Sequence, residues 1–72
     1  MPIYKEIDIH QLKELQRNPY KKKWNGLFWC YDTTYIPRYI IIDNRDQFAF
    51  TYSYYSWKET FKNLMEMEGH TW

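Results

Sequence analysis

Cysteine and histidine, the types best suited to act as nucleophile, near-neutral base or soft metal ligand, are scarce in this 72-residue chain. Cys30 is the single cysteine. A nucleophilic thiol needs a neighbour that keeps it ionised, and Cys30 lies instead in the apolar strand pattern of residues 27–31, which points to a small buried hydrophobe. His10 and His70 stand sixty positions apart, the first in the opening turn of a helix, where it is solvated, and the second in the C-terminal tail. Asp43 and Asp46 flank a turn, where carboxylates serve backbone geometry. With only Gly26 and Gly69 in the chain, no glycine-rich loop can cradle a phosphate. Neither a catalytic set, nor a metal-ligand set, nor a cofactor site is expected, and the sequence reads as a non-enzyme.

What remains is the chemistry of binding, and two stretches carry it. Lys21, Lys22 and Lys23 adjoin Trp24: the lysines would attract phosphates and the ring could stack on a base. The same run also reads as an ordinary solvated turn. The second stretch is "FAFTYSYYSW", residues 48–57, with six aromatic side chains in ten positions. Eight tyrosines stand against four phenylalanines, so many rings keep one end in water, the condition under which Tyr and Trp become binding anchors.

Composition sets the frame. A chain this short buries about 60% of its unfolded surface, and one cysteine excludes an intramolecular staple, which fits a reducing cytoplasm. Large rings must supply the core. Net charge is +1, which favours neither a strong polyanion binder nor an acidic mimic. The charge is uneven, with six Lys/Arg against three Asp/Glu in residues 1–23 and four against six in residues 24–72. No apolar run suits a membrane span and no leader pattern follows Met1, so a single soluble domain over residues 1–72, staying in the cytoplasm and away from membranes, is expected.

The elements that must position these residues are legible from caps and periodicity. Asp8 with Gln11 forms a capping box, Ile7 with Leu12 a hydrophobic staple, and a helix follows over residues 9–17 with Leu12 and Leu15 inward. Asn18–Pro19 ends it. Strands are expected at 27–31, 38–43 and 47–54, the last two joined by a tight turn at Asn44–Arg45, and "IYKEI" could add a short N-terminal edge strand. That register pairs Ile41 with Phe48 and Tyr39 with Phe50. A second helix starts at another capping box, Ser56 with Glu59, buries Trp57, Phe61, Leu64 and Met65, and stops at Gly69. The fold class is α+β: a small three-stranded antiparallel sheet flanked by two helices, α-β-β-β-α.

Strand alternation puts Phe48, Phe50, Tyr52 and Tyr54 on one face and Ala49, Thr51 and Ser53 on the other. The expectation is that Phe48 and Phe50 join the core, while Tyr35, Tyr52, Tyr54, Tyr55 and Trp24 form a partner surface.

The order of elements resembles that of double-stranded RNA-binding domains, although "SWKETF" lacks their basic cluster at the second helix, and it resembles loosely the arm-binding domains of phage integrases. The absence of valine, the single Ala49 and the abundance of Lys, Ile, Tyr and Asn indicate an AT-rich gene. In length and composition the chain resembles the small early proteins of phages and prophages of low-GC bacteria. That resemblance implies a stoichiometric binder that modulates or inhibits a host protein, in host takeover or against a defence system. The alternative is a small nucleic-acid binder using Lys21, Lys22, Lys23, Trp24 and strand tyrosines. A homodimer is expected if the rings cover one another.

Overall fold

The computed structural model describes residues 4–69. The Asp8 carboxylate accepts the Gln11 backbone N–H at 2.7 Å and the Gln11 side chain accepts the Asp8 N–H at 2.9 Å, so the capping box closes and α1 runs Ile9–Arg17. Ahead of it lies β1 (Tyr4–Glu6), and after it β2 (Gly26–Asp32). The two strands are parallel neighbours, Tyr4 opposite Leu27 and Glu6 opposite Trp29. Then come β3 (Arg38–Asn44), β4 (Phe50–Tyr54) and α2 (Trp57–Met67). The sheet is therefore four-stranded and mixed, in the order β1-β2-β3-β4, and not three antiparallel strands. The N-terminal segment pairs because α1 supplies the crossover that a parallel neighbour needs. Ile7, 4% exposed, anchors it to the core, with its N–H donating to the Trp29 carbonyl at 2.9 Å.

Alternation along the strands separates two cores. Phe28 and Cys30 of β2 and Ile40 and Ile42 of β3 pack with Leu12 and Leu15 of α1, and with Ile7 and Trp24. On the other face Leu27 and Ile41 are fully buried, as is Leu64 of α2. The helices thus cover opposite faces, in three layers. α2 starts where Ser56 Oγ accepts the Glu59 N–H at 3.2 Å, one half of the expected capping box, and Gly69 takes a positive φ of 90° just past its end, as the sequence indicates.

Which side of α2 faces the sheet differs from expectation. Thr60 and Leu64 are fully buried, whereas Trp57 is 40% exposed and Phe61 and Met65 are half-buried. Thr60 can occupy the interior because its hydroxyl donates back to the Ser56 carbonyl at 2.8 Å, and a side chain this small lets the helix axis approach the sheet. The rings of Trp57 and Phe61 are thereby set to the flank.

The β3–β4 register also differs. Tyr39 pairs with Tyr54, Ile41 with Tyr52 and Asp43 with Phe50. Asn44 is no turn residue: it is fully buried, with its amide donating to the carbonyls of Pro19 (2.9 Å) and Trp24 (2.8 Å) and its oxygen accepting the Ala49 N–H (3.1 Å). The chain turns instead beyond it, using left-handed Gln47 (φ 66°) and Ala49 (φ 50°). The slip is an even number of residues, so each strand residue keeps its face, but Phe48 and Phe50 are carried away from the helix. They are 71% and 53% exposed, their rings tilted against each other with centroids 5.6 Å apart.

Candidate functional site

The α2 face of the sheet carries Trp29 and Tyr31 on β2 and Tyr39 on β3, consecutive alternate positions of paired strands. Because α2 is held close by Thr60 and Leu64, its Trp57 meets this row with its ring tilted by 49° to Trp29 and 50° to Tyr39. Ring centroids lie 4.5 Å apart for Trp29–Trp57, 5.6 Å for Tyr39–Trp57 and 4.7 Å for Tyr31–Tyr39. Phe61, one helical turn on, continues the line at 5.7 Å from Trp57. The belt runs from strand to helix without a break. Tyr31 is 46% exposed, and Trp29, Tyr39 and Phe61 are half-buried.

On the outer side of the belt Trp57, Lys58, Phe61 and Lys62 line a shallow depression of about 560 Å³. Two rings and two ammonium groups line it together, and on the helix surface Lys58 and Phe61 are i,i+3 neighbours. Among the described residues neither lysine has an acidic partner within 4.0 Å, every ion pair being made elsewhere by Lys21, Lys23, Arg38 and Arg45. The belt can therefore offer desolvation of apolar surface together with attraction for carboxylates.

The residues expected to form a partner surface divide into three groups. Tyr35, 92% exposed in the β2–β3 loop, and Tyr55, after β4, converge on a 190 Å³ depression with Ile36. That loop is fixed from beneath by Asp32, whose carboxylate accepts from the Thr34 N–H (2.9 Å), the Thr34 hydroxyl (2.7 Å) and Arg38 Nε (3.3 Å). Thr34 first, and then Arg38, hold the Asp32 carboxyl below its ordinary pKa. Tyr52 and Tyr54 lie on the α2 face of β4. Tyr54 is half-buried, and burial, followed by the charges of Tyr52, Glu59 and Glu66, pushes its hydroxyl pKa up.

Trp24 is elsewhere altogether. At 4% exposure it belongs to the α1 core, edge-on to Phe28 at 5.8 Å. Its ring is closed to a stacked base because it is buried in one cluster with Leu12, Leu15 and Phe28. Lys22 and Lys23 precede it in a single 3-10 turn, Lys22–Trp24. Lys23 contacts Glu14 at 3.0 Å and lies 4.9 Å from the Trp24 ring, and Lys21 reaches Glu14 at 3.7 Å. Those lysines hold the Glu14 carboxyl below its ordinary pKa, the Lys23 hydrogen bond foremost.

Cys30 is fully buried, and desolvation, then the charges of Asp32, Asp8 and Glu6, push its thiol pKa up. A raised pKa withholds the thiolate that reactivity needs. His10 is exposed in the first turn of α1; His70 lies outside the described residues. No group of three or more metal-ligating side chains occurs among the described residues, and no helix among them is long and apolar enough to cross a membrane.

No protein-family model matches the chain, and no curated protein or solved structure matches it either.

Sequence reasoning missed the belt as a unit. Its signals were the shared parity of positions 29, 31 and 39 on paired strands, and Trp57–Phe61 running beside Lys58–Lys62 at the same spacing. Reading Trp57 and Phe61 as the inward stripe of α2 hid them.

Proposed function

We propose that this chain is a non-enzymatic protein-binding module, encoded by a phage or other mobile element of a low-GC bacterium, which modulates or inhibits a host protein. The observation that carries this reading is the unbroken belt Tyr31–Tyr39–Trp57–Phe61, which leaves Tyr31 and Trp57 46% and 40% exposed in a domain small enough to need its rings inside. Contiguous apolar surface of that kind marks an interaction site, and Trp and Tyr are the side chains that anchor one. Lys58 and Lys62, which make no ion pair among the described residues, favour a host surface that presents carboxylates around an apolar centre. The nucleic-acid reading draws less support, because Trp24 is enclosed and two of the three lysines beside it are engaged by Glu14.

The experiment is affinity capture from a low-GC bacterial lysate with the full chain and two variants. A Tyr31→Ser/Trp57→Ser chain should lose a discrete captured protein, while a Lys21→Gln/Lys22→Gln/Lys23→Gln chain should retain it. The reverse pattern, or retention on DNA-cellulose well above physiological salt, would overturn the proposal.

A further inference from the structure

The sheet has two edges, and they differ in kind. β1 is three residues long and carries Lys5 and Glu6, both exposed; charge and brevity are how an edge strand is kept from pairing with another chain. β4 has neither defence. Phe50–Tyr54 holds no charge, proline or glycine, and four of its five residues are exposed. Its outer backbone groups face no other strand among the described residues.

The strand is also complementary to itself. Set antiparallel to a second copy and centred on Tyr52, it places Phe50 opposite Tyr54 of the copy, Tyr52 opposite Tyr52 and Thr51 opposite Ser53. One face of that ladder is three aromatic pairs and the other two hydroxyl pairs, the cross-strand combinations that stabilise antiparallel sheets, with no like charges opposed. Sliding the register by two residues leaves only three of the five pairs, and a slip of one sets rings against hydroxyls. We propose that β4 is the seam of a two-fold dimer with this register, giving a continuous eight-stranded sheet.

The exposed area fits such a contact. Phe48, Phe50 and Tyr52 are 71%, 53% and 41% exposed, rather more than one and a half whole rings, and Phe48 extends the aromatic row past Phe50. At roughly 150–250 Å² per ring, a pair of protomers would cover on the order of 500–800 Å² of side chain. That lies below the range of stable interfaces, about 1,200–2,000 Å², and the backbone ladder adds to it. The contact thus falls in the class of small, weakly associating interfaces. Its axis is perpendicular to the sheet, so both α2 helices, and both aromatic belts, share one face.

Sedimentation velocity of the full chain from about 1 to 500 µM, a range bracketing micromolar affinity, should show monomer passing to dimer and no larger species, since a two-fold seam closes on itself. Tyr52→Lys and Tyr52→Glu, each alone, should remain monomeric across that range while keeping the native near-UV circular dichroism. Mixed in equal amounts they should form a heterodimer at least as tight as the parent, because only this register brings position 52 opposite itself. Should either variant fail to fold, Thr51→Asp/Ser53→Asp on the hydroxyl face should abolish the dimer instead. A monomer at every concentration, as expected if β4 instead receives the strand of a different protein, would overturn the proposal. So would a dimer indifferent to Tyr52→Lys, growth into open ladders, or a mixture that stays monomeric.

Discussion

Replacing Asn44 with Ala should be the most damaging single polar change in the protein. One fully buried amide satisfies three backbone groups, the carbonyls of Pro19 and Trp24 and the N–H of Ala49, at 2.8–3.1 Å. An orphaned buried group costs about 1–3 kcal/mol. Counting the buried Trp24 carbonyl at about 1.5 kcal/mol and the two partly buried groups at about half that each gives about 3 kcal/mol. A 72-residue domain holds only about 4–11 kcal/mol in all. With a urea slope of about 1 kcal/mol per M for a domain of this size, the midpoint followed by tryptophan fluorescence should fall by about 3 M. Asn44→Asp keeps the acceptor for Ala49 but turns both donors into repulsion between oxygens. At neutral pH it should be no better than the Ala variant, and it should improve relative to Ala as acid protonates the new carboxyl. A midpoint loss below about 0.7 M for Asn44→Ala would refute the argument that this side chain ties the Pro19–Trp24 segment to the β3–β4 turn.

Acid should destabilise the fold through Glu14, Asp32 and Asp43, whose pKa values are depressed by Lys23, by Thr34 and by Arg45 respectively. A depressed carboxyl contributes stability above its unfolded value, about 3.9–4.3, and loses it as pH falls through the folded one. Thermal midpoints should therefore be flat above about pH 5 and fall below about pH 4, with Asp32→Asn flattening the acid limb; an unchanged acid limb in that variant would contradict this. Cys30 should react with a neutral thiol reagent near pH 8 only as fast as the domain opens, and at once in urea, so immediate reaction of the native protein would show the thiol is not enclosed. Gln47→Gly should relieve a left-handed residue (φ 66°). Against about 1–2 kcal/mol of strain stands a chain-entropy cost of about 0.4–1 kcal/mol, for a net gain near 0.5 kcal/mol and a midpoint rise of about 2–4 °C. A fall in the midpoint would refute it.

The local signals were legible where one residue acts on its neighbours. Asp8–Gln11, Ser56 and Gly69 set the helix ends, and α1 has the expected bounds because a capping box and an Asn-Pro stop depend on nothing distant. Strand parity was legible for the same reason, so Tyr52 and Tyr54 fell on the expected face even though their partners did not. What could not be read depends on groups far away in the chain. Asn44 looks like a turn residue until the carbonyls of Pro19 and Trp24 claim its amide. Trp24 looks like a surface ring beside lysines until α1 and Phe28 enclose it. The rotation of α2 follows from Thr60 satisfying its own hydroxyl, which lets a small polar residue displace Trp57 and Phe61 from the inward position. That one exchange converts expected core into the candidate site.

The parallel placement of β1 governs the order in which the fold assembles. Pairs between β3 and β4 close from Asp43–Phe50 outward and pairs between β2 and β3 from Asp32–Arg38 outward, each step enclosing little new chain. Every β1–β2 pair, by contrast, joins residues 23 apart, so no short loop can nucleate the contact and its entropy cost falls due in one step. The three-stranded meander should therefore form first, with β1 docking last and being first to leave. In the native state the amides of β1 and Ile7 should exchange through an opening cheaper than global unfolding. Each such opening lifts Ile7 from the α1 core and briefly bares Phe28 and Cys30, which makes this edge the gate through which solvent reaches the only thiol in the chain.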